Sequence, residues 1–332
     1  MRRKRIVLIA TGGTISSGGT AGGAVPRFSP NDLLECAESR GLSLPEETVV
    51  ETVEFSRVLS ANMTPIRMYE LACLIRDAIA SRDVDGAVVT HGTGTIEETS
   101  FLVDLYHSSR KPVVFTGSMR PLTTSDADGP RNVRDAIVVA SDEGACEKGV
   151  LLVMNCVIFA ARDATKSHSN ALDTFQAEFG PLGAIGPGDE PSFFRTPARR
   201  QIFPNHPPEP NVDLIRFHTG MDGRFIRASM QAGARGVVME GSGMGNVNEA
   251  VAVALKDAIQ QGLVVLLASR SPRGTAYPFY DTVGAGADLA RAGAFFSSYL
   301  SGLKARLLLC AALGFTQDRQ QLSNILSGGV IP

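Results

Sequence analysis

Short runs of aliphatic and β-branched residues alternate along this chain with stretches whose apolar positions recur at helical spacing. The runs at 5–10, 49–55, 86–90, 112–117 and 149–155 predict strands, and the stretches between them predict helices. The helix starts are readable. Ser29 and Asp32 bracket Pro30, placing proline at the first helical position, where an N–H is not needed. Thr64-Pro65 repeats the device ahead of a helix whose Leu71, Ile75, Ala78 and Ile79 share one face. Thr95-Ile96-Glu97-Glu98 reads as a capping box, and Asp128-Gly129-Pro130 opens a helix running through Val139. This alternation predicts an α/β fold built on a parallel sheet with crossover helices.

Between residues 196 and 210 the texture changes, because five prolines fall in that stretch and exclude a helix or a central strand. It reads as a linker over 196–211. Beyond it the pattern resumes on a smaller scale, with strands predicted at 212–217, 236–240 and 263–269 and helices at 248–261 and 302–313. The expectation is a larger N-terminal parallel-sheet domain over 1–195 and a smaller C-terminal α/β domain over 212–332. In open parallel sheets, ligands meet the loops that follow the strands.

Two such loops carry glycine with threonine. Thr11-Gly12-Gly13-Thr14-Ile15 follows the first strand, and its glycines allow a sharp turn with Thr14 projecting from a loop at the sheet edge. His91-Gly92-Thr93-Gly94-Thr95 follows the third strand and runs into a helix, so Thr93 and nearby N–H groups could meet a carboxylate or an oxyanion. Either loop alone is ordinary turn chemistry. A third element, Ala161-Arg162-Asp163-Ala164-Thr165-Lys166, adds a lysine able to act as base for a threonine if desolvation keeps it neutral. By itself that lysine reads as a surface residue on a hairpin.

Composition narrows the class. Lys and Arg number 32 against 34 Asp and Glu, a balance that disfavours a broad nucleic-acid surface. The apolar runs are much too short to span a bilayer, so no membrane partner is expected. The basic start with its brief apolar run reads as a solvated flank and first strand, not a signal peptide, and a cytoplasmic location is expected. The five cysteines form no C-x-x-C pair and the five histidines no metal-binding pattern, so neither disulfide nor metal is expected.

The order of short motifs resembles the bacterial-type L-asparaginase (glutaminase-asparaginase) family over nearly the full length. The residues that carry the resemblance are Ala-Thr-Gly-Gly-Thr-Ile at 10–15, Ser-Ala-Asn-Met-Thr at 60–64 and Val-Thr-His-Gly-Thr at 89–93. Glu-Glu-Thr at 97–99, Gly-Ser-Met-Arg-Pro at 117–121, Ala-Asp-Gly-Pro at 127–130, Arg-Asp-Ala-Thr-Lys at 162–166 and Thr-Pro-Ala-Arg at 196–199 continue it. The resemblance implies an amidohydrolase in which Thr14 is the nucleophile that forms an acyl-enzyme, with Thr93 and Lys166 in the activating group. It implies that Ser60, with the Gly92–Gly94 loop, binds substrate. It places Asn246 and Asn248 where a neighbouring subunit completes the site, in a homo-oligomer whose usual form is a tetramer of dimers. No cofactor is implied.

Two departures bear on the substrate. The family pattern His-Gly-Thr-Asp-Thr reads His-Gly-Thr-Gly-Thr here, so Gly94 replaces the aspartate that binds the substrate's α-ammonium. The loop tyrosine of the family is also missing, its place falling near 22–25, and no tyrosine occurs from Gly12 to Pro65. An ammonium without its anion would lose several kcal/mol, while Lys166, relieved of a neighbouring charge, would be more readily neutral. Asp281 of a neighbouring subunit is the candidate substitute acid. The expected reaction is therefore ammonia release from a small carboxylate-bearing amide, with a weakly active or inactive binding paralogue as the alternative. A dinucleotide site ranks below both, because Gly241-Ser-Gly-Met-Gly245 lacks the required glycine spacing.

Overall fold

The computed structural model describes residues 2–20, 23–198 and 200–328. The chain divides into two compact units, 1–200 and 201–332, the division falling inside the proline-rich stretch.

The first unit begins with β1 (Lys4–Gly12), β2 (Ser17–Thr20), β3 (Gly23–Pro26), α1 (Pro30–Ser39), β4 (Thr48–Val58) and α2 (Pro65–Ala80). It continues with β5 (Gly86–Thr90), α3 (Ile96–Tyr106), β6 (Val113–Thr116), α4 (Gly129–Ser141), β7 (Val150–Met154) and β8 (Val157–Ala160). Short strands β9 (Ala164–Lys166), β10 (Phe175–Ala177), β11 (Gly183–Ile185) and β12 (Pro191–Phe193) complete it. Eight strands form one sheet in the order β12-β11-β8-β7-β6-β5-β1-β4. From β7 to β4 the neighbours are parallel, and the β8, β11 and β12 pairings are antiparallel. The fully buried strands β5, β6 and β7 have the near-continuous apolar character of strands covered on both faces. Ile6 and Leu8 of β1 join Val133, Ala136 and Ile137 of α4 and Leu33 of α1 in one core. Asp135 lies fully buried at the edge of that core, neutralised by Arg131 at 2.8 Å and Arg134 at 3.1 Å.

The helix starts at Ser29 and Thr64 form as the sequence predicts, the first as a complete capping box with Asp32. Two expectations change. The run read as one strand at 149–155 is the first arm of a hairpin, β7–β8, turned by Asn155 and Cys156, both at positive φ (51° and 62°). Such angles suit a two-residue hairpin turn, but Asn-Cys lacks the glycine that usually announces it. And the Thr14 segment, at the carboxyl edge of the sheet as expected, is a formed turn and not an open loop. β1 lies inside the sheet between β4 and β5, and the following residues, Thr14–Ser16, form a single 3-10 turn held by the Ser16 and Ser17 hydroxyls, both donating to the Gly13 carbonyl.

The second unit contains β13 (Val212–Arg216), α5 (Arg224–Gln231), β14 (Gly236–Gly241), α6 (Glu249–Gln260) and β15 (Val264–Ser269). Helix α7 (Gly286–Ala292), β16 (Phe295–Phe296), α8 (Gly302–Phe315) and α9 (Arg319–Leu326) follow. Its four strands are parallel in chain order. Ile226, Val251, Leu255 and Leu289 from three of its helices pack in one core with Val237, Met239 and Leu267. Among the described residues no helix is long and apolar enough to cross a membrane.

Candidate active site

Three loops meet beyond the carboxyl ends of β1, β4 and β5. Gly13 has φ 88°, and a side chain there would put its Cβ 2.3 Å from the Gly92 Cα. The two glycines thus let the Thr14 turn and the Thr93 loop touch backbone to backbone. Gly92 in turn abuts Ser60, where a Cβ would lie 2.9 Å from the Ser60 Oγ. Ser60 begins a 3-10 turn after β4 and is 6% exposed.

The capping box expected at Thr95 does not form. Thr95 stands at the N-cap of α3, but its hydroxyl donates instead to the Ser60 carbonyl at 2.8 Å. That bond ties the β4 loop to the β5 loop. The main-chain N–H groups of Gly92, Thr93 and Gly94 make no main-chain hydrogen bond among the described residues and lie just ahead of a helix N-terminus. His91 is wholly buried and its ring Nδ1 contacts the Gly92 carbonyl at 2.9 Å; burial lowers its pKa to about 4. It is a neutral prop for the loop.

Lysine 166 enters from a different sheet. The β9–β10 hairpin pairs Lys166 with Phe175, and the Lys166 Nζ lies 2.8 Å from the Thr93 Oγ1. Desolvation lowers its pKa, and the Glu97 carboxylate opposes that shift. The direction is the one the sequence reading expects for Lys166 without an aspartate at 94, though desolvation is its largest cause, and Glu97 is a carboxylate that reading did not bring near it. Glu97, in the first turn of α3, accepts the Lys166 main-chain N–H through Oε2 at 3.3 Å. Sequence reasoning gave the Glu97–Glu98 pair to capping and to the family motif but no part in the site; the signal available was a carboxylate a few residues after Thr93, in the first turn of α3.

The remaining motifs position these loops. The Asp128 carboxylate accepts from the Met119 and Arg120 N–H groups and from the Asn132 side chain, fixing the turn after β6. Gly117 in that turn lies so close to Thr93 that a Cβ would approach the Thr93 Cγ2 to 2.9 Å.

Two of the expected residues were assigned to a neighbouring subunit. Asn248 and Asp281 belong to the second unit. Asn248 caps α6, accepting from the Val251 N–H at 3.0 Å and donating to the Met221 carbonyl at 2.8 Å, so both ends of its amide are engaged. Asp281 is 66% exposed and pairs with Arg291 at 2.6 Å. Of the place expected for the loop tyrosine, Gly22 lies outside the described residues, and residues 23–25 belong to β3.

The family described as "Asparaginase, N-terminal" matches residues 5–199, and the "Glutaminase/Asparaginase C-terminal domain" matches residues 211–326. The chain belongs to the asparaginase family. It is 33% identical over 313 residues to an L-asparaginase of Bacillus licheniformis, covering 93% of this chain and 95% of that one. It is also 33% identical to L-asparaginase 2 of Escherichia coli (strain K12), over 97% of this chain and 92% of the relative. The crystal structure of a "probable cytoplasmic L-asparaginase" from Campylobacter jejuni superimposes with a TM-score of 0.85 at 29% identity, covering 98% of this chain and 99% of that one. The asparaginase fold and its amidohydrolase class therefore apply to this chain.

Proposed function

We propose that the protein releases ammonia from a small carboxylate-bearing amide, with Thr14 as nucleophile and Thr93 with Lys166 as the proton-accepting pair. The 2.8 Å contact between the Lys166 Nζ and the Thr93 Oγ1 carries this reading. A desolvated lysine beside a hydroxyl is a base available nearer neutral pH than a free lysine. In the proposed reaction the Thr14 oxygen bonds to the amide carbon while its proton passes towards Thr93 and Lys166. In this reading the N–H groups of Gly92, Thr93 and Gly94, without main-chain partners among the described residues, receive negative charge on the substrate carboxylate or on the developing oxyanion. Collapse breaks the C–N bond, the nitrogen takes a proton and leaves as ammonia, and water then hydrolyses the ester on Thr14.

Gly94 argues for a particular kind of amide. A Cβ added there would meet only the Ser60 Oγ, at 3.2 Å, and Gly94 is not at positive φ, so an aspartate could be seated with a small shift of one hydroxyl. Its place is open, and no anion stands at 94 for an α-ammonium. The preferred substrate keeps the carboxylate but lacks the α-amino group, or carries bulk where that group would be. Ammonia release should be measured over asparagine, glutamine and amides without an α-amino group. Asparagine is expected to be poor, and Gly94→Asp to raise its kcat/KM by up to about two to three orders of magnitude while lowering that of the preferred amide. If the unmodified enzyme already hydrolyses asparagine as fast as the variant does, the specificity reading fails. No turnover of any amide, with tight binding of a carboxylate, would favour the inactive binding paralogue that the missing anion also suggests.

Asn248, where the family's neighbouring subunit completes the site, and Asp281, the candidate substitute acid, enter this reading through a second copy of the chain. Within its own chain Asp281 is exposed and paired with Arg291, and the Asn248 amide is engaged in capping, so either would exchange or share a partner to meet the substrate. Specific activity should fall on dilution below the dissociation constant of the oligomer, measured alongside sedimentation. Constant activity in a demonstrably monomeric sample removes the shared site.

A further inference from the structure

Gly94 offers no carboxylate to the threonine–lysine pair, but the carboxylate of Glu97 lies against the Lys166 main chain. Glu97 is 6% exposed, so its charge is withdrawn from solvent and acts strongly on what it touches. Its Oε2 accepts the main-chain N–H of Lys166, the residue whose side chain reaches Thr93. One side chain of α3 therefore holds the β9–β10 hairpin at the residue on which the proposed reaction depends.

We propose that Glu97 is the positioning residue of Lys166, anchoring the hairpin at that residue and supplying, one helical turn on, the negative charge that Gly94 does not. This rests on the reading of Lys166 as the base for Thr93. The other neighbours do not compete for the part. On β10, Phe175 and Gln176 are uncharged, and Thr93 is neutral. Asp163 is committed to Arg162 at 3.1 Å and Arg195 at 3.6 Å. Among the described residues the charge that acts on the amine is that of Glu97, and it acts against desolvation.

The sign of the effect follows. Desolvation favours the neutral amine and the Glu97 carboxylate favours the ammonium, so removing the carboxylate's charge makes Lys166 lose its proton at lower pH. A contact that served only to hold the hairpin would leave that pH unmoved.

The full-length protein labelled with 13C at lysine Cε should be titrated by NMR, the Lys166 signal being assigned by its absence in Lys166→Met. Glu97→Gln keeps an oxygen to accept the Lys166 N–H while removing the charge. It is expected to lower the Lys166 midpoint by about one pH unit, and to move the acid limb of kcat/KM for the best amide down by the same amount. An unmoved midpoint in a folded Glu97→Gln overturns the proposal. Should that variant not fold, Glu97→Asp withdraws the carboxylate by one methylene and must lower the midpoint by a smaller amount; an unchanged midpoint there overturns it equally. Lys166→Met that retains turnover removes the base reading and this inference with it. An inactive Lys166→Met combined with an unmoved midpoint overturns this inference alone.

Discussion

Thr14→Ala is expected to lower turnover of the preferred amide by about four to six orders of magnitude while leaving the protein folded. The size follows from the part assigned to Thr14, because losing the atom that forms the covalent bond removes the acyl-enzyme route. Folding should survive because the Thr14 hydroxyl makes no hydrogen bond among the described residues. Its main-chain carbonyl, which accepts the Ser17 N–H, remains. The stability change should lie within about 0.5 kcal/mol, as for ordinary partly exposed positions. Kinetics with the best amide of the panel and a urea unfolding curve are sufficient checks. A variant that keeps even a tenth of the original turnover would move the nucleophile elsewhere, with Thr93 the next candidate.

Gly13→Ala should harm both fold and activity. At φ 88° an alanine is strained, and its Cβ would stand 2.3 Å from the Gly92 Cα and 2.4 Å from the Gly92 N, backbone atoms that cannot swing aside. Strain and overpacking together should cost about 3–5 kcal/mol. Whatever relieves the clash pushes the Thr14 turn from the Thr93 loop, and a displacement near 1 Å is enough to lose about 100-fold in rate. Gly41→Ala is the control, since Gly41 also has positive φ (73°) but nothing within 4 Å of its added Cβ. It should cost only about 1 kcal/mol and leave kcat/KM unchanged. If Gly13→Ala proves as mild as the control, the two loops do not meet backbone to backbone.

Much of this arrangement was readable before any coordinates. Ser29-Pro30 and Thr64-Pro65 determine their helix starts locally, so local chemistry suffices to predict them. The parallel strands betray themselves because burial on both faces leaves no polar alternation. The errors occur where distant segments compete for a group. Thr95 was expected to cap its own helix, but its hydroxyl is taken by Ser60, a partner that only folding brings near. Glu97 was assigned to the same cap for the same reason, whereas its carboxylate receives the Lys166 N–H from a hairpin far along the chain. The turn at Asn155-Cys156 escaped because its angles are set without the expected glycine.

The strand order also has a temporal side. β1 is made before either of its neighbours, yet it is hydrogen-bonded on one edge to β4 and on the other to β5. Both of its edges are therefore satisfied only after Thr90 has left the ribosome. Until then the apolar stretch from Ile6 to Ile9 offers an open strand edge to any chain nearby, the usual seed of aggregation. The hairpin that delivers Lys166 comes later still and needs Phe175 to close. A nascent chain of this protein thus completes its aggregation-prone strand before its chemistry, and the early part of unit 1 is where a chaperone would be most needed.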